Sequence, residues 1–151
     1  MAKQSAGILL FRKKEETEIF LVHPGGPFYT RKDPGVWSIP KGEFDSSEQA
    51  LDAAKREFEE ETGKIIDGTF IPLKPVTQKA GKVVHAWAVE GDLDADAVVS
   101  NTFLIEWPPK SGKMKEFPEN DRAGWFTFDQ AREKINVKQI DLLDQLRVIL
   151  Q

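Results

Sequence analysis

Residues 56–63 read Arg-Glu-Phe-Glu-Glu-Glu-Thr-Gly, and half of that octet is glutamate. On an α-helix, at about 100° per residue, Glu57, Glu60 and Glu61 share one arc, with Glu57 spaced i, i+3 and i, i+4 from the other two. Like charges at these spacings repel by about 0.2–0.5 kcal/mol per pair. Each carboxylate also raises the pKa of its neighbours. A divalent cation reverses that balance. Mg2+ and Mn2+ prefer oxygen ligands, and Mg2+ commonly takes one or two carboxylates together with waters and substrate phosphates. The cluster therefore reads as a place to hold a metal ion. Spacing alone fits an ordinary acidic helix face equally well, since glutamate is a good helix former. Glu59 falls elsewhere on the helix and reads as solvated. Leu51, Ala54 and Phe58 form the adjoining apolar arc, so the carboxylates flank the stripe that must be buried.

The helix needs a scaffold. Ser46 or Ser47 is the expected N-cap, with Glu48 in the first turn, and Gly63 is the expected stop after Thr62. Residues 5–12 and 18–22 read as paired strands across a charged turn at 13–16. A long loop rich in proline and glycine spans 23–37, and such loops inside compact domains are often functional. Residues 37–40 read as a short extended piece. Residues 68–73, 83–89, 101–107 and 123–128 read as further strands, with 108–112 as loop. Asp129 is the expected cap of a short helix to Ile135. A last helix over 137–150 places Ile140, Leu143, Leu146 and Leu150 on one side. Strands lie before, between and after the helices with no regular βαβ repeat, so an α/β architecture with a mixed sheet is expected.

Composition narrows the chemistry. A chain of 151 residues with 40% apolar side chains fits a single domain over 1–151. The 25 acidic and 21 basic residues leave a formal net charge of -4, which argues against broad binding to a nucleic-acid backbone. It is compatible with a small anionic ligand held through a metal. The absence of cysteine removes disulfides, thiolate catalysis and thiolate zinc sites. The run at residues 6–11 is too short to span a membrane and lacks a signal-peptide cleavage pattern, so a cytoplasmic protein is expected.

The spacing across residues 42–64 is more specific than the helix alone. It runs Gly42, five residues, Glu48, seven residues, Arg56-Glu57-Phe58, one residue, Glu60-Glu61, one residue, Gly63. This resembles the Nudix box, which asks for glycine, glutamate, arginine and glutamate at those positions. The one departure is Lys64, where the box has a bulky apolar residue; Ile65 follows it.

The resemblance implies an α/β/α sandwich around a mixed β-sheet. It implies a hydrolase that cleaves a nucleoside diphosphate linked to another moiety, with Mg2+ or Mn2+ as cofactor and a small-molecule nucleotide as substrate. By the same resemblance Glu57, Glu60, Glu61 and the Gly42 carbonyl hold the metal, while Glu48 and Arg56 orient the carboxylates. The general base is Glu57, Glu60 or a glutamate from a distant loop, here Glu119 with Glu116 in reserve. The lead-in Trp37-Ser38-Ile39-Pro40-Lys41-Gly42 is similar to that of diadenosine polyphosphate hydrolases, which makes Lys41 a candidate to meet a polyphosphate chain. Arg31, Lys32, Lys82 and His85 are further candidates for phosphate, and Phe28 and Tyr29 for stacking on a base. Trp87 and Phe103 read as core. Overall the chain is also similar to bacterial proteins described as predicted nucleoside-triphosphate pyrophosphohydrolases. That activity, a nucleotide-binding module without catalysis, and RNA-end processing are the alternatives. The oligomeric state is open.

Overall fold

Seven consecutive residues, Ser5 to Phe11, are buried, so the strand that carries them must be covered on both faces. The protein is described by a computed structural model covering residues 3–151. In it that strand is β1 (Gln4–Lys13), at the centre of a mixed seven-stranded sheet. β2 (Thr17–Pro24) returns antiparallel to its second half, and β3 (Lys41–Phe44) lies antiparallel to its first half. The short strands β4 (Ile71–Pro72) and β5 (Val76–Thr77) both pair with β6 (Val83–Glu90). β6 runs parallel to β1 along its other edge. β7 (Thr102–Glu106) and β8 (Met114–Pro118) form a separate two-stranded arm, and β9 (Asn120–Thr127) closes the sheet against β2.

Alternation along β1 sends its side chains into two layers. Ala6, Ile8 and Leu10 join Phe20 and Val22 under Ala53, Ala54 and Phe58 of α1 (Ala50–Thr62). Leu9 and Phe11 join Ile19, Leu21 and Val84 under α2 (Phe128–Lys134) and α3 (Ile140–Ile149). Ala131, Leu142, Leu143 and Leu146 complete that side. The result is the expected α/β/α sandwich around a mixed sheet. Among the described residues no helix is long and apolar enough to cross a membrane.

Several local expectations are corrected. α1 begins at Ala50 behind Gln49, without a side-chain cap. Ser47 instead bonds back to Asp45, through its backbone N at 2.8 Å and its hydroxyl at 2.5 Å, in a turn ahead of the helix. Thr127, not Asp129, caps α2, in a reciprocal box with Gln130. The strand expected at 68–73 contracts to Ile71–Pro72, and a 3-10 turn at Val137–Gln139 precedes α3. Phe103 lies outside both core layers and packs on Phe117 in the arm, with ring centroids 6.2 Å apart.

Candidate active site

The end of α1 and the beginning of β3 meet at the foot of the arm, and a cleft of about 410 Å³ opens between them. Its acidic side is lined by Glu57, Glu60 and Glu61 from α1 and by Glu119 from the junction of β8 and β9. Lys41 and Lys82 line it as well, with Gly42, Glu43, Ser5 and Asn101. Residues distant in sequence are brought here by backbone pairing. The Asn101 N–H donates to the Glu60 carbonyl at 2.8 Å, fastening the arm to α1. The Glu119 N–H donates to Asn101 O, and Glu119 O accepts from Gly25 N, each at 2.8 Å.

Arg56 organises the outer carboxylates. Its Nη2 donates to Glu48 Oε1 at 2.6 Å, and its Nη1 donates to Glu57 Oε1 at 2.9 Å and to Glu60 Oε2 at 3.2 Å. One planar cation thus relieves the like-charge spacing noted in the sequence. The bond to Glu48 leads the interactions that keep the guanidinium firmly protonated. Glu61 is held differently. Its Oε1 accepts from Asn120 Nδ2 at 2.7 Å and its Oε2 from the Lys41 backbone N at 3.1 Å.

Glu57 packs so closely on Gly42 that a Cβ at that position would overlap its carboxylate. Any side chain at position 42 would therefore have to push the Glu57 carboxylate aside.

Burial dominates the proton chemistry. It pushes the Glu61 carboxyl up to about 7, against the bonds from Asn120 and Lys41. It also raises Glu57, where the Arg56 bond opposes it, and Glu119. Lys41 is made more acidic by burial and then by the nearby Lys82. Carboxyl groups that resist ionising beside one another are the environment a cation relieves.

Among the described residues no three Asp, Glu or His side chains are grouped to hold an ion as they stand. The donor chemistry nevertheless fits Mg2+ or Mn2+. All the candidate ligands are oxygens: Glu57, Glu60, Glu61 and the Gly42 carbonyl. The carboxylates line one cleft, and Glu57 and Glu60 are held by the side chain of Arg56.

The structure separates the residues singled out in the sequence. Lys41, Gly42, Glu57, Glu60, Glu61, Lys82 and Glu119 share the cleft, and Arg56 and Glu48 adjoin it. Tyr29 and Arg31 lie on the exposed loop after β2, and Glu116 is exposed on β8. His85 on β6 is bonded through Nε2 to Gln4 Oε1 at 2.5 Å. None of these four lines the cleft. Sequence reasoning did not single out Ser5, Glu43, Asn101 or Asn120. Asn120 and Glu43 left a trace, as the neighbours of Glu119 and Gly42; Ser5 reaches the site through strand pairing and Asn101 through its backbone bonds to Glu60 and Glu119.

The family model described as NUDIX domain matches residues 1–146. No curated protein matches the chain significantly. Similar solved structures include the binary complex of a C. elegans Ap4A hydrolase, at 22% identity, covering 97% of each chain, with a TM-score of 0.68. The NUDIX domain of Shewanella oneidensis NrtR, complexed with ADP ribose, aligns at 17% identity over 100% of this chain and 90% of that one, with a TM-score of 0.70. A mutT/nudix family protein from Listeria innocua aligns at 18% identity over 98% and 93% of the two chains, with a TM-score of 0.63.

Proposed function

This chain belongs to the NUDIX family of pyrophosphohydrolases, and from that premise we propose that it hydrolyses dinucleoside polyphosphates such as diadenosine tetraphosphate, with Mg2+ or Mn2+ bound at Glu57, Glu60, Glu61 and Gly42. The observation that carries this reading is the pairing, in one cleft, of the four carboxylates with Lys41 and Lys82. A divalent ion bound there supplies positive charge against the phosphate oxygens and acidifies water. The chain's own groups do the rest. Arg56, anchored by Glu48, keeps the outer carboxylates in place. Lys41 and Lys82 hold the phosphate chain as point charges. Glu119 is the group we assign to take the proton of the attacking water, since burial raises its carboxyl towards the range where a general base works best.

The choice of substrate rests on Lys41. It belongs to the lead-in shared with diadenosine polyphosphate hydrolases, and it lines the cleft itself. The net charge of -4 suits a compact nucleotide better than a nucleic-acid backbone, and we place the activity in the cytoplasm.

The test is a phosphate-release panel with Mg2+, comparing dinucleoside tetraphosphates, nucleoside triphosphates and ADP-ribose. The highest kcat/KM is expected for the tetraphosphate. Lys41→Ala should weaken it more than ADP-ribose, and equal losses on both would remove the reason for preferring polyphosphates. Nucleotide binding without turnover on any substrate would mark a binding module.

A further inference from the structure

Ser5 of β1 lines the cleft, is fully buried, and has no hydrogen-bond partner for its Oγ among the described residues. A buried hydroxyl left unpaired costs on the order of 1–3 kcal/mol, and native structures rarely keep one without a use. The backbone of Ser5 is engaged in ladders, opposite Glu43 of β3 on one edge and Val84 of β6 on the other. What the residue has left to offer the cleft is its hydroxyl.

Two cations share the cleft with it. Lys82, immediately before β6, donates to Glu43 Oε2 on β3 at 3.2 Å. Since β1 lies between those strands, this ion pair crosses it at the level of Ser5. Lys41 stands two residues along β3, opposite Gly7. A Cβ at Gly7 would lie 2.6 Å from both Lys41 Cβ and Pro40 O, so glycine there lets the lysine stem lie close against β1. Lys41 and Lys82 line the same cleft as Ser5. A hydroxyl that shares a cleft with two ammonium groups, one of them paired with Glu43, belongs to a donor set for phosphate oxygens.

We propose that Ser5, with Lys41 and Lys82, forms an anion subsite for a phosphate of the substrate lying beyond the two held at the carboxylates. The proposal rests on the reading of the cleft as a polyphosphate hydrolase site and gives it a chain-length rule. Substrates with three or more linked phosphates reach both groups of residues, whereas a diphosphate such as ADP-ribose reaches one.

The decisive variant is Ser5→Ala. For a residue with only a structural role, deleting an unpaired buried hydroxyl leaves kinetics unchanged and the melting temperature equal or higher. The subsite instead requires KM for the dinucleoside tetraphosphate to rise about tenfold, the loss of one hydrogen bond to a charged group, and to rise at least fivefold more than KM for ADP-ribose. Calorimetric titration with Mg2+ present should show inorganic tripolyphosphate weakening about tenfold in the variant, and pyrophosphate less. Ser5→Cys, close in shape and a weak donor, should give the same pattern if the alanine variant does not fold. Equal weakening for long and short chains, or no weakening, would overturn the subsite. If the unsubstituted protein cleaves no substrate in the panel, the functional reading fails, and the tripolyphosphate titration still decides whether the subsite exists.

Discussion

Asn120 Nδ2 donates to Glu61 Oε1 at 2.7 Å, joining the first residue of β9 to the last turn of α1. The Asn120 backbone is itself held, its N–H donating to Ser100 Oγ at 3.0 Å. With Lys41 N on the other oxygen, the Glu61 carboxylate is fixed from two sides. Asn120→Ala removes one of these supports. Changes of this kind typically cost about 10- to 100-fold in metal affinity. Manganese titration by calorimetry should show a loss of that order with an unchanged circular dichroism spectrum. Unaltered affinity would remove Asn120 from any positioning role.

The buried carboxyl groups predict how stability depends on pH. Glu61 titrates near 7 in the folded protein against an ordinary 4.5, and burial raises Glu57 and Glu119 in the same direction. The folded state therefore binds these protons more tightly than the unfolded chain. The contribution of Glu61 to stability is fully present below about 4.5 and is lost as pH rises through about 7, and those of Glu57 and Glu119 also decline as pH rises. Melting in EDTA should show Tm falling between pH 5 and pH 8, with Glu61→Gln flattening the slope. Added Mg2+ should raise Tm more at pH 8 than at pH 5. A larger gain at the acidic end would contradict carboxylate ligation.

Gly42→Ala tests the contact between glycine and carboxylate. The added methyl group has to displace Glu57, whose side chain is only 13% exposed. A drop of about 100-fold in kcat/KM is expected, the size of a displaced catalytic constellation, while the sheet and helices persist. Near-normal turnover would mean that Glu57 works from another position.

Glu119→Gln separates proton transfer from metal binding. A positioned general base contributes about 10²–10⁴-fold, so kcat should fall within that range while manganese affinity stays close to that of the unsubstituted protein. Since burial raises the Glu119 carboxyl, the acid limb of the parent's kcat profile should lie above the usual carboxylate range. If kcat is retained, the base is Glu57 or Glu60.

The sequence disclosed most about this site where one element carries the pattern. The carboxylates and Arg56 are spaced by a single helix, and Gly63, with φ of 73°, ends that helix where the motif ends. The central strand was legible because its apolar run is unbroken. β3 was not, since Lys-Gly-Glu-Phe reads as polar loop and becomes a strand only through pairing with β1. β8 was missed for a similar reason: four of its five residues are exposed, so no apolar alternation marks it. The helix starts were misplaced because Ser47 and Asp129 are good caps in principle, while Asp45 engages the first and Thr127 occupies the place of the second. Ser5 and Asn101 carry no local signal. Ser5 is placed by the strands beside β1, and Asn101 by backbone bonds to Glu60 and Glu119.

The arm formed by β7 and β8 stands apart from the main sheet and is clasped at its foot, where Glu119 bonds to Gly25 and Asn101. The far end, around Pro108 and Gly112, is exposed, and among the described residues no hydrogen bond joins it to Glu57, Glu60, Glu61 or Glu119. That end is therefore a graft point. Peptides or reporter tags spliced into it would leave the clasp, and the chemistry below it, in working order.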